Sequence, residues 1–263
     1  VLDRPDGTPI AEHPDVRRLL LSMASEIAAM RALGVYVGDL FDRATDADGI
    51  RLAELFVPIF KGWTTEEALR ITSDAIQVHG GMGFIEETGA AQYLRDVRIT
   101  PIYEGTNGIQ ALDLVRRKLA GDAGLAIGAM IEEMREFDGV LGEAGHGQAL
   151  VVIRGRLAEA GSALARTTHR LLNAAKHEPE LADAGAVPYL ELFGTVLGGY
   201  LMARAALIAQ NRLSEGTDEE SFYATKLATA EYYAAAILPR AAALEHAALG
   251  GAAAIFGINE HEY

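Results

Sequence analysis

Two short glycine-bearing stretches hold the residue types from which a proton-transfer site can be built. PIYEGTNG (Pro101–Gly108) sets Glu104 between Tyr103 and Gly105. A carboxylate next to a peptide N–H with no Cβ shield can remove a proton and hold the oxygen of the adjacent carbonyl. Ile99, Ile102 and Tyr103 predict apolar surroundings, of the kind that make a carboxylate a better base. The same residues have a structural reading. An acid near a helix N-terminus is favoured by the macrodipole, with Thr106 or Asn107 as the N-cap. Local chemistry leaves both readings open.

The other stretch is QVHGGMGF (Gln77–Phe84). Gly80 and Gly81 make a natural helix stop. Alternatively, closely spaced glycines let the backbone approach a ligand without side chains in the way, and Gln77 adds an amide to that surface. His79 lies inside this loop and needs no catalytic role for its imidazole.

Other chemistries lack their residues. There is no cysteine, so disulfides, thiolate nucleophiles and cysteine-ligated metals are excluded, and a reducing cytoplasm fits. No G-x-S-x-G or H-E-x-x-H motif occurs, and HGGMG is neither a dinucleotide fingerprint nor a P-loop. No metal site is expected. The formal net charge of −14 argues against nucleic acid and anionic membrane surfaces, although Arg95 and Arg98 form a local basic spot. No uninterrupted apolar run approaches the ~20 residues of a membrane span, and the opening VLDRPDGTPIAEHPD has no secretory pattern. Lys61 reads as a solvated side chain, Trp63 as a packing anchor at a loop. His169, His177 and His246 have no partner pattern.

The elements that position the two loops are helical nearly throughout. Apolar spacing predicts helices over His13–Arg43, Ile50–Phe60, a third beginning with a Thr64–Glu67 capping box and ending at Gly80, then Ala90–Val97 and Asn107–Ala120. AGDAG (Ala120–Gly124) breaks the pattern. Beyond it come Ala126–Leu141 and three long Ala-rich helices, Gln148–His177, Pro188–Leu213 and Asp218–Leu249. Two domains are expected, residues 1–122 and 123–263, each an antiparallel bundle with short connections.

Ala68–Leu119, running through both loops, resembles the C-terminal helical domain of the flavin-dependent acyl-CoA dehydrogenases. The likeness lies in both loops, their order and their separation, and extends more loosely back to about Glu12. The second half resembles the extra helical domain of longer bacterial members, such as the methylmercaptopropionyl-CoA dehydrogenases. The resemblance implies an all-α fold, an up-and-down bundle followed by a second bundle. It implies FAD and an acyl-CoA substrate, with electron-transfer flavoprotein as electron acceptor. It also implies a dimeric or tetrameric homo-oligomer and a bacterial cytoplasmic location. Glu104 matches the α-proton base and Gly105 the residue whose N–H binds the thioester oxygen. Gln77, Val78, His79, Gly80 and Gly81 match the stretch that contacts the flavin of a neighbouring subunit. Thr106, Asn107 and Gly108 match a second flavin-contacting stretch, where the family commonly has Gln in place of Gly108.

The family's N-terminal helical and central β domains have no counterpart here, nor does its Arg-x-x-Phe-Gly segment. A C-terminal portion of a longer dehydrogenase is therefore expected, inactive alone and retaining little FAD. The alternatives are a non-catalytic assembly module, in which the bundles serve oligomer packing, and a portion of a flavin-dependent acyl-CoA oxidase, which uses a similar base.

Overall fold

Pro14, with its ring preset for a first helical turn, begins α1 (Pro14–Arg43). Leu19, Met23, Ala29, Leu33 and Val37 form its buried stripe. The computed structural model describes residues 8–143 and 147–257; residues 1–7 of the opening segment lie outside it.

The next helix corrects the sequence reading. Ile50–Phe60 and the stretch from Thr64 are not two helices but one, α2 (Ala47–His79), with Pro58 inside it. The Asp46 carboxylate caps its start, accepting from the Gly49 N–H at 2.8 Å. No capping box forms at Thr64. The Thr64 hydroxyl turns back to donate to the Phe60 carbonyl, and Thr65 does the same to Lys61. Glu67 is buried against Arg70 instead of reaching Thr64. The cause is tertiary: Phe56, Ile59 and Trp63 are fully buried on one continuous face, which carries the helix through its local stop signals. Trp63 thus sits in mid-helix, not at a loop.

After Gly80 and a helical turn at Gly81–Phe84 comes α3 (Ala90–Val97), as expected. Helix α4 (Asn107–Leu112) runs without a break into a π-helical stretch, Asp113–Leu119. AGDAG breaks the chain as predicted. Ala123 and Gly124 take positive φ, and the Asp122 carboxylate accepts from the N–H groups of Gly124 and Ala126, both at 2.9 Å. This caps α5 (Leu125–Glu143).

The second half contains α6 (Gln148–His177), a short helix at Pro179–Ala184 between the predicted Gln148–His177 and Pro188–Leu213 helices, and α7 (Ala186–Glu215). The predicted Asp218–Leu249 helix is divided. Helix α8 (Glu220–Tyr232) becomes π-helical over Tyr233–Ile237, and α9 (Arg240–Gly250) follows Pro239. A proline lacks the N–H and crowds the preceding turn, which kinks or breaks a helix; at Pro239 the helix is divided, whereas the buried face of α2 carries that helix through Pro58. No strand occurs among the described residues.

Helix α7 is buried on nearly all sides and packs on α1, α2, α4, α6, α8 and α9. A Cβ on Gly194 would lie 2.2 Å from Cγ of Trp63, and one on Gly62 would lie 2.8 Å from the Leu190 methyls. These missing side chains let α2 sink into α7. One apolar cluster consequently runs from Ala29 to Ala248, through the sequence break near Gly121–Gly124. Contrary to the run-length reading, α1 and α7 are both long and apolar enough on average to cross a membrane. Of the relevant window, 78% in α7 and 33% in α1 is buried within the fold.

The two halves also share a buried charge centre. Glu26 of α1 and Glu67 of α2 are each 2% exposed. Arg240 of α9 stands 2.9 Å from Glu26 and 3.7 Å from Glu67. Arg70 grips Glu67 with two hydrogen bonds and lies 3.9 Å from Glu191 of α7. Burial, then repulsion by Glu67, pushes Glu26 up to about 7 against the pull of Arg240.

Candidate active site

The Glu104 loop leaves α3 through a string of turns. The N–H groups of Ile102 and Tyr103 donate to the Ile99 carbonyl, and the Asn107 N–H donates to Pro101 across the loop mouth at 2.9 Å. At the tip Glu104 has φ +57° and Gly105 φ +80°. Gly105 suits that region; Glu104 does not, and a non-glycine residue there costs about 1 kcal/mol or more. Surrounding contacts must hold it. The Thr106 hydroxyl, as N-cap of α4, accepts from the Ile109 N–H at 3.3 Å.

Most of that hold comes from the middle of α2. Lys61 Nζ donates to the Gly105 carbonyl and to Asn107 Oδ1, each at 2.8 Å. Asn107 is buried, and its Nδ2 donates to the Gly62 carbonyl, Thr65 Oγ1 and Glu66 Oε1. From the other side, Gln110 Nε2 donates to the Glu104 carbonyl at 3.2 Å. Burial draws Lys61 below the usual lysine range, and the charges of Glu104 and Glu66 oppose that.

The tip itself points outward. Among the described residues, the Glu104 carboxylate accepts no hydrogen bond, and the Gly105 N–H donates none. The apolar enclosure predicted for Glu104 is not supplied by this chain. Glu104 is exposed, and Ile99, Ile102 and Tyr103 are 51, 46 and 49% exposed. Met82, Phe84, Tyr93 and Ile109 are exposed as well.

The Gln77–Gly81 stretch lies elsewhere. Gly80, at φ +62°, ends α2, and its N–H donates to Gln77. Gln77 and His79 are exposed, Val78 is half-buried, and His79 Nδ1 lies 2.7 Å from the Ala75 carbonyl. A Cβ on Gly83 would lie 2.4 Å from the Ile76 carbonyl oxygen, so that turn requires glycine. Arg95 is not free to bind an anion, being clamped by both Glu86 oxygens at 2.8 and 2.6 Å. Between Lys61 and Gln77 the helix rises about 24 Å, so the two predicted flavin-contacting stretches do not converge on one spot.

Lys61, Glu66 and Gln110 were not among the predicted site residues. Lys61 is separated from Gly105 by 44 residues, a pairing no local pattern carries. The available hint was an aliphatic-rich helix with one cation on its half-buried face.

Fold and site together define an all-helical domain that presents a carboxylate on a strained, externally braced turn. A family model described as "Acyl-CoA dehydrogenase, C-terminal domain" matches residues 2–119, and one described as "Acetyl-CoA dehydrogenase C-terminal like" matches residues 127–259. The chain belongs to the acyl-CoA dehydrogenase family and corresponds to its C-terminal portion. It is 42% identical over 247 residues to 3-methylmercaptopropionyl-CoA dehydrogenase of Ruegeria pomeroyi, covering 92% of this chain and 41% of that one. It is 34% identical to the broad-specificity linear acyl-CoA dehydrogenase FadE5 of Mycobacterium tuberculosis, covering 88% of this chain and 40% of that one. The fold matches an acyl-CoA dehydrogenase from Bacillus anthracis, solved with FAD, at a TM-score of 0.70 and 18% identity, covering 95% of this chain and 44% of that one. The chain spans about two-fifths of the length of the curated relatives it matches.

Proposed function

We propose that this chain supplies the base and one oxyanion donor of an FAD-dependent acyl-CoA dehydrogenase. The observation that carries the reading is the tip at Glu104 and Gly105. A carboxylate and an N–H adjoin on one strained turn, and neither is consumed by the chain's own hydrogen bonds. Glu104 takes the α-proton of the thioester and becomes a carboxylic acid. The Gly105 N–H donates to the thioester oxygen as negative charge builds there. The chemistry FAD would supply when bound is that of a two-electron oxidant, a hydride acceptor for the β-hydrogen that would leave an α,β-enoyl thioester as product.

The residues present fit a flavin. Thr106 and Gly108 flank the reacting turn, and the surface around it is apolar and exposed. Asn107 serves that stretch by holding it, since its side chain is occupied within the chain. Gln77, Val78, His79, Gly80 and Gly81 present an exposed glycine turn far along α2, which suits contact with a flavin carried by a neighbouring subunit of a homo-oligomer. Electron-transfer flavoprotein would then reoxidise the flavin, in the bacterial cytoplasm. The isolated chain binds FAD weakly or not at all and is inactive; stoichiometric yellow flavin absorbance in the purified chain would refute this.

The decisive substitution is Glu104→Gln in the protein together with its flavin-binding domains. Turnover of acyl-CoA is abolished and flavin stays bound. Retained turnover would place the base elsewhere.

A further inference from the structure

The turn at Glu104 and Gly105 is held through its two carbonyls, by the side chains of Gln110 and Lys61. A trans peptide is planar, so its C=O and N–H point in opposite directions. Gln110 Nε2 binds the carbonyl of Glu104, whose peptide partner is the Gly105 N–H. Fixing the one aims the other. Lys61 Nζ binds the next carbonyl, that of Gly105, and through Asn107 ties it to the buried face of α2. Together these bonds set successive peptide planes of a turn in which Glu104 has a φ that an L-residue rarely adopts. Lys61 also places a cation near the base, the one role a neutral hydrogen-bond donor could not fill.

We infer that Lys61 and Gln110 are positioning residues, a two-point brace that keeps the Glu104 carboxylate and the Gly105 N–H aligned for simultaneous use. The inference rests on the proposed dehydrogenase reading for its catalytic consequence, but the brace itself is measurable without flavin.

The first measurement is amide hydrogen exchange on the chain as it stands. In Lys61→Met the N–H groups of Tyr103 and Asn107, both hydrogen-bonded within the loop, exchange about tenfold faster, the effect of losing a charge-assisted bond. Buried amides of α7 are unchanged. Lys61→Arg restores most of the protection. Gln110→Leu, on the other side of the turn, gives the same loosening and serves if Lys61→Met fails to fold. The second measurement uses the protein with its flavin-binding domains. Either variant lowers kcat about tenfold to a hundredfold, on the scale of misplacing an oxyanion donor, with KM for acyl-CoA within about threefold. Unchanged loop exchange in both variants overturns the brace. Loosened exchange with undiminished kcat overturns the positioning role. Turnover surviving in Glu104→Gln would sink the dehydrogenase reading while leaving the exchange result to stand for the brace.

Discussion

The seam between α2 and α7 and the loop that carries Glu104 both rest against α2 and are built on opposite principles. At the seam, glycines remove side chains so that Trp63 and Leu190 can enter, and nearly every atom faces protein. At the loop, a residue with a Cβ sits where glycine would be at ease, and its carboxylate faces outward. The seam removes strain to gain packing. The loop keeps strain and relies on Lys61, Asn107 and Gln110 to contain it. The two regions meet on one residue: the missing side chain of Gly62 admits Leu190, and its carbonyl accepts from Asn107 of the loop.

Substitutions can break that contrast. The largest expected effect is at the loop tip. Glu104→Gln lowers the rate of acyl-CoA oxidation by about a thousandfold or more, with thermal stability within ~0.5 kcal/mol of the parent. A matching loss of stability would mean the loop is structural after all. At the seam, Trp63→Ala costs about 3–5 kcal/mol of folding stability, seen in urea unfolding. Gly194→Ala forces a methyl into Trp63 and costs about 1–3 kcal/mol despite adding helix propensity. If it proved neutral, the close approach of α2 and α7 would be wrong.

The charge centre offers a sharper test, because its sign is unusual for a carboxylate. Glu26 is raised from 4.5 in the unfolded chain to about 7 in the folded protein, so the native state binds its proton more tightly. That contribution is fully present below about pH 4.5 and is lost as pH rises toward 7. Stability attributable to Glu26 therefore falls by on the order of 3 kcal/mol between those limits and is flat above. Glu26→Gln removes this slope from the pH dependence of unfolding, and a slope that persisted would assign it to another group. The smallest effect is expected from Glu104→Gly, which relieves the left-handed strain and raises stability by up to about 1 kcal/mol.

Much of this was legible from the residues. Helical period and glycine stops located α1, α3 and α6 closely, and the two loops were found by residue type and spacing. What could not be read was whatever depends on a distant partner. Thr64 and Glu67 spell a capping box, yet the apolar face of α2 overrides it. Glu104 was read as a candidate base, but its backbone conformation is imposed by Lys61, far away in sequence. Its expected apolar setting was inferred from neighbours in the chain, whereas those side chains point outward. Arg240 follows a proline with no local mark that sets it apart, and only the fold brings it to Glu26 and Glu67.

That last meeting bears on how the chain comes to be folded. Glu26 and Glu67 are synthesised well before Arg240, whose guanidinium separates their charges. Until Arg240 has been synthesised, burying the face that α1 and α2 share means enclosing two carboxylates with Arg70 as the remaining counter-ion. A nascent or prematurely terminated chain that stops short of α9 is thus penalised for closing its core. Once Arg240 is present that penalty is offset, so the last helices of the second half complete, electrostatically, the core of the first.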